Sequence, residues 1–201
     1  MRTVPCAVQA ATVSTSTSIT FAPLDGAPGH RLQRLYIGRG NTLHADPPAG
    51  SGSIASDRRG AFTFVHTFDA DTVLRGALVL TCSMDAASVK RGRFCASLSR
   101  RVSPGPAHRH EADQLLPCTT AYLREPDHAC CGIMQAISLT MTTRPTVFGA
   151  GDQLVLRLTL AAPRGSDAVM HGVMRFGASA PGVLAFSVGA VAPDQSGQGL
   201  P

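Results

Sequence analysis

Polar and apolar residues alternate with a period of two along most of the chain. The clearest segment is GDQLVLRLTLAAP, where Leu154, Leu156, Leu158 and Leu160 share one face and Gln153, Arg157 and Thr159 the other. Successive side chains of an extended chain point to opposite sides, so this spacing predicts a strand with one face buried. Gly149, Gly151 and Asp152 supply the turn before it. Upstream, QAISLTMTT places Ile137, Leu139 and Met141 against Ser138, Thr140 and Thr142. The connector RPTVFGAGD joins the two segments, which are expected to lie side by side as a strand pair.

The same alternation recurs elsewhere. AFTFVHTF aligns Phe62, Phe64, His66 and Phe68, and LRGALVLTCSM aligns Leu74, Leu78, Leu80, Cys82 and Met84. RGRFCASLSRR sets Phe94, Ala96 and Leu98 against Arg93, Cys95, Ser97 and Ser99. VMHGVMRFG and GVLAFSVG contribute Met170, Met174, Phe176, Leu184, Phe186 and Val188 to inward faces. TSITFAP and RLQRLYIG read as strands, and NTLHADPPAGSGSIASDRRG as a loop. Only EADQLLPC has the makings of a helical turn, stopped by Pro117.

About eight or nine short strands with turn signals between them predict an all-β, antiparallel two-sheet β-sandwich of the jelly-roll kind. A long inserted loop is expected near residues 102–134. No shift of composition divides residues 1–201, so a single domain is expected, with an N-terminal arm over about 1–12 and a tail over about 192–201.

Composition narrows the partners. The net charge is +5, but it comes from 17 scattered arginines and the single lysine Lys90. Base stacking is poorly served, because the only aromatics beyond eight phenylalanines are Tyr36 and Tyr122. Direct nucleic-acid contact is therefore not expected. No apolar run has the length to span a bilayer, and MRTVPCAVQAATVSTSTS lacks the apolar core of a signal peptide. Neither a membrane nor an oxidising compartment is implied, so the thiols are expected to be reduced at synthesis.

Chemistry-bearing residues gather in HRHEADQLLPCTTAYLREPDHACCG, which holds three of the seven histidines and three of the six cysteines. His108, His110, Cys118, His128, Cys130 and Cys131 are the metal candidates. Their H-x-H and H-x-C-C spacings depart from the tight C-x2-C pairs that converge on one tetrahedral zinc, so no metal is expected. Closure of Cys118 with Cys130 or Cys131 is the candidate disulfide. Cys82 and Cys95 fall on opposite parities of what reads as a hairpin, so a bond between them is expected to be absent. Catalytic motifs are missing: there is no G-x-S-x-G elbow, no phosphate loop and no close acidic pair in an apolar setting. Asp69 and Asp71 in FDADTV read as a turn rather than a calcium site. No catalytic residue and no cofactor is expected.

The succession LRGALVLTCSM, RGRFCASLSRR, QAISLTMTT, VFGAGDQLVLRLTL and VMRFGASAPGVLAFS resembles jelly-roll structural proteins of tailed-phage virions over roughly residues 70–190. Carbohydrate-binding modules and the accessory domains of hydrolases share this pattern. The resemblance implies a non-enzymatic capsid, decoration or collar component, located in the virion and working through contacts with copies of itself and other virion proteins. A glycan-binding or adhesion module is the alternative, weakened by the absence of tryptophan. A metal-dependent hydrolase comes last.

Overall fold

The structure, a computed structural model, describes residues 30–85, 92–102, 112–123, 134–161, 169–178 and 182–190. The expected arm and tail and the TSITFAP strand lie outside the described residues. Those described form eleven strands and one short 3-10 turn, Arg39–Asn41. The strands are β1 (His30–Ile37), β2 (Leu43–His44), β3 (Gly52–Ala55), β4 (Ala61–Thr67), β5 (Thr72–Asp85) and β6 (Gly92–Arg101). They continue with β7 (Ala112–Leu123), β8 (Met134–Phe148), β9 (Gln153–Ala161), β10 (Val173–Phe176) and β11 (Val183–Ala190).

These strands pair antiparallel in two sheets. The larger runs β2-β1-β11-β5-β10-β3, with β8 also on β5, and the smaller runs β4-β9-β6-β7. β5 organises the larger sheet because it is long enough to hold three neighbours. β8 follows one edge from Thr72 to Asp85, while β11 occupies the other edge from Thr72 to Thr81 and β10 takes over from Ser83.

Each sheet buries the face that its alternation marks out. Leu154, Leu156, Leu158 and Leu160 of β9, Phe94, Ala96 and Leu98 of β6, and Phe62 and Phe64 of β4 are buried from the smaller sheet. Leu74, Leu78, Leu80, Cys82 and Met84 of β5, Ile137, Leu139 and Met141 of β8, and Leu184, Phe186 and Val188 of β11 meet them from the larger one. All belong to one apolar cluster. Burying such a side chain contributes roughly 1.5–3 kcal/mol, enough to hold the two sheets face to face.

Several expectations change. The segments 135–143 and 153–161 are strands but not a pair: β8 bonds to β5, and β9 bonds to β4 and β6 in the opposite sheet. β5 and β6 are likewise not a hairpin, because the chain crosses between sheets after Asp85. The stretch 102–134 is not one long loop, since β7 fills its middle and pairs with β6. Within EADQLLPC, residues 112–118 belong to that strand rather than to a helical turn. The loop over 41–60 also carries β2 and β3.

Pro117 misled because a proline inside a strand is tolerated only where the ladder is interrupted. Pairing of β6 with β7 runs Cys95 to Thr120 and Ala96 to Thr119, then resumes at Leu98 to Leu116. Pro117 and Cys118 therefore both oppose Ser97, a bulge in which the missing N–H of proline leaves no ladder bond unmade. Pro145 repeats the device in β8. The register jumps from Gly76–Thr143 to Leu74–Thr146, leaving Arg144 and Pro145 opposite Arg75. Gly76, at φ +76°, supplies the left-handed residue at this kink.

Between β3 and β4 the chain crosses sheets through Asp57–Gly60. The Asp57 carboxylate accepts from the N–H groups of Arg59 and Ala61, both at 2.8 Å. These two bonds, that from Ala61 first, hold its carboxyl below the ordinary value. Gly60 has φ +69°, and a Cβ there would collide with the carbonyl oxygen of Met170. Gly60→Ala is expected to destabilise the fold by about 2 kcal/mol, read as a lower urea midpoint at unchanged slope. An unaltered midpoint would show that the turn relaxes around the methyl group.

Candidate functional site

The densest polar construction among the described residues is the corner where β8 turns into β9. Gly149, Ala150 and Gly151 make the turn, and Asp152, 4% exposed, closes it. One carboxylate oxygen of Asp152, Oδ2, accepts from Gly149 N–H at 2.9 Å and from Arg100 Nε and Nη2, each at 2.9 Å. The backbone of Asp152 joins the corner to the end of β4: Phe68 N–H donates to its carbonyl, and Gly151 N–H donates to that of Phe68. From the start of β5, Asp71 accepts from Ala150 N–H at 2.9 Å. Five strand ends thus meet here: those of β4, β5, β6, β8 and β9.

Aromatic rings floor the corner. Phe68 and Phe148 stack tilted at 4.6 Å, His66 meets Phe68 edge-on at 4.9 Å, and the Arg100 guanidinium lies 5.9 Å from the Phe148 ring centre. Nδ1 of His66 lies 3.4 Å from the Leu43 carbonyl, which can only accept, so Nδ1 carries the proton in that contact. Burial lowers the pKa of His66 below its ordinary 6.5, against smaller opposing effects of that hydrogen bond and of Asp69.

This lowered pKa makes stability depend on pH. The unfolded histidine takes up its proton near 6.5, and the folded one only at lower pH, so the unfolded chain binds more protons below 6.5. The stabilising effect is complete above 6.5 and is lost as the pH falls toward the folded value. Thermal melts from pH 7.5 to 5 should show this loss, and His66→Gln should shrink it. A profile identical in the two proteins would assign the acid sensitivity elsewhere.

A second polar group ties β3 to β10. Ser56 N–H donates to the Gly172 carbonyl, Gly172 N–H donates to Ser56 Oγ at 3.1 Å, and His171 Nδ1 lies 3.4 Å from the same hydroxyl. A serine beside a histidine has the outline of a nucleophile and its base. Here the hydroxyl is already engaged by a backbone N–H, and the group works as a clip between strand ends.

Of the residues singled out in the sequence, His108, His110, His128, Cys130 and Cys131 lie outside the described residues. Cys118 is placed on β7 by its backbone. Among the described residues no group of three or more His, Cys, Asp or Glu side chains is arranged to hold a metal. FDADTV connects β4 to β5 as a turn, and Asp71 within it accepts from Ala150 N–H of the separate turn between β8 and β9. Cys82 is a free buried thiol, pushed up to about 12 by burial and hence inert as a nucleophile. Cys95 is disulfide-bonded. With Cys82 free, the expected absence of a Cys82–Cys95 bond holds, but for a different reason: the two belong to different sheets. The Arg100–Asp152 pair was missed, because its members lie 52 residues apart. GAGD in the sequence marks only the turn.

Several solved structures share the fold. A CocE/NonD family hydrolase of Staphylococcus aureus matches with a TM-score of 0.59 at 15% identity, over 81% of this chain and 37% of its own. An aminopeptidase from the marine sediment archaeon Thaumarchaeota archaeon matches at 0.60 and 10% identity, over 80% and 37%. An α-amino acid ester hydrolase matches at 0.54 and 13% identity, over 77% and 36%. The chain spans little more than a third of these proteins, and identity this low speaks to fold alone. No family model and no curated protein matches the chain.

Proposed function

We propose that this chain is a non-catalytic β-sandwich module of a larger hydrolase of the CocE/NonD kind, with a jelly-roll path between its two sheets. The observation that carries the reading is the pair of coverages: about four fifths of this chain matches little more than a third of each hydrolase. A fold can be shared without the chemistry, which belongs to sites rather than scaffolds. The polar groups of the two strand corners support the non-catalytic half of the proposal. The Asp152 corner and the Ser56 clip spend their donors and acceptors on backbone and on each other, as structural braces do. The readings as a virion component or a glycan-binding module rest on strand pattern and composition, and nothing in the described residues adds to either.

The test has two parts. The chain alone, assayed with p-nitrophenyl acetate and an amino-acid ester, is expected to give no turnover above buffer. Saturable hydrolysis by the chain would overturn the non-catalytic assignment. The native polypeptide or complex recovered from the source is expected to hydrolyse such esters. Recovery in a symmetric particle without that activity would overturn the hydrolase context and favour the virion reading.

A further inference from the structure

The outer N–H and C=O groups of an edge strand can bond to another chain, so folded proteins shorten, break, charge or cover their edges. Most edges of the two sheets show such a device. β2 has two residues and β3 four. β4 is capped by a bridge from its Val65 to Thr42. β7 carries Pro117 and two register shifts. β8 is different. It runs 15 residues, and among the described residues it pairs with β5 alone. Its ladder with β5 is unbroken from Met134 to Thr143, and that stretch contains no charge, no proline and no glycine. The bulge at Arg144 and Pro145 ends it. Ala136, Ser138, Thr140 and Thr142 are exposed on the outer side of this edge, and Ile137, Leu139, Met141 and Thr143 are buried on the inner side.

We propose that two copies of this chain associate through their β8 edges, antiparallel and centred on Thr140, so that their larger sheets become one continuous sheet. A second copy is the occupant because the complementarity lies within β8 itself. Antiparallel pairing about Thr140 sets Ser138 against Thr142, Leu139 against Met141, Ile137 against Thr143 and Ala136 against Arg144. Hydroxyl thus meets hydroxyl on the outer side, and apolar meets apolar on the inner side. Opposed pairs of these kinds stabilise a ladder, whereas like charges directly opposite weaken it. No like charges meet here, since the two Arg144 side chains fall at opposite ends of the paired stretch. Pro145, which has no N–H to give, lies just beyond that stretch at each end. A twofold contact of this kind is self-complementary and closes at two copies, which leaves no long regular edge free for further growth.

Sedimentation of the full chain between about 1 and 100 μM is expected to show a reversible monomer–dimer equilibrium. In this pairing position 140 faces itself across the twofold axis. Thr140→Lys and Thr140→Glu, at an exposed position, should each weaken the dimer by roughly fivefold, because like charges then stand directly opposite. An equal mixture of the two variants should recover association, since lysine then faces glutamate. Hydrogen exchange reads the same contact without a variant: the amides of residues 136–144 should gain protection as the concentration rises. A chain that stays monomeric at about 100 μM overturns the proposal. Protection of 136–144 in that monomer would then assign the edge to another segment of the chain, and its absence to a different polypeptide. A dimer indifferent to both charges, or one that gains protection elsewhere, overturns the proposal as well. The exchange measurement on the wild type decides even if a variant fails to fold.

Discussion

Asp152→Ala is expected to lower the unfolding free energy by about 3 kcal/mol, the low end for breaking a buried ion pair. The low end applies because the Arg100 side chain remains 26% exposed, whereas that of Asp152 is 6% exposed. Alanine removes the acceptor of three donor contacts, two from Arg100 and one from Gly149 N–H, and leaves a guanidinium half-buried over Phe148. Asp152→Asn keeps the shape and one acceptor oxygen, so it should cost less. Arg100→Met in the Asp152→Ala background should recover part of the loss, since much of it comes from the stranded charge. Urea titrations of the four proteins measure this. A loss for Asp152→Ala below about 1 kcal/mol would place the pair among ordinary surface salt bridges.

Phe186→Ala is expected to cost about 4 kcal/mol, in the range for deleting a fully buried aromatic side chain. Phe186 is 0% exposed on β11, and its backbone is paired on both sides, with Gln33 of β1 and Leu78 of β5. Neighbours bonded on both edges cannot close in on the space left behind, so the cavity persists. Phe186→Leu should cost substantially less. Leu32→Ala, at an exposed position on β1, serves as the control and should change stability by no more than about 0.5 kcal/mol. Equal losses at positions 186 and 32 would contradict the core assignment.

Legibility differed sharply between features of the same strand. In β9 the four alternating leucines are all buried and Arg157 between them is exposed, so the inward face was readable residue by residue. The neighbours of β9 were not readable. The nearest alternating segment in sequence, β8, lies in the other sheet, and β4 and β6 flank β9 instead. In β7 the strand itself was obscured, because Pro117 reads as a stop signal until the bulge opposite Ser97 is known. The braces of the Asp152 corner were hidden for a related reason. Each is a bond between residues far apart in the chain, such as Arg100 with Asp152 or Ala150 with Asp71. The histidine- and cysteine-rich stretch was conspicuous, yet only β7 within it is described, and Cys95, which is disulfide-bonded, lies outside that stretch.

By itself the sequence determined the all-β class, the strand identity of most alternating segments and the face that each buries. Those are properties of a period-two chain in water, where each apolar side chain must leave solvent on the same side as its second neighbours. Only the tertiary structure decided which strands pair, where the chain crosses between sheets, and why Pro117 and Pro145 are tolerated inside strands. It also decided that Asp152 faces Arg100 and that Cys82 and Cys95 are kept apart. Pairing follows from how two sheets share one core, and alternation says nothing about partners, because any strand with a buried face satisfies it equally.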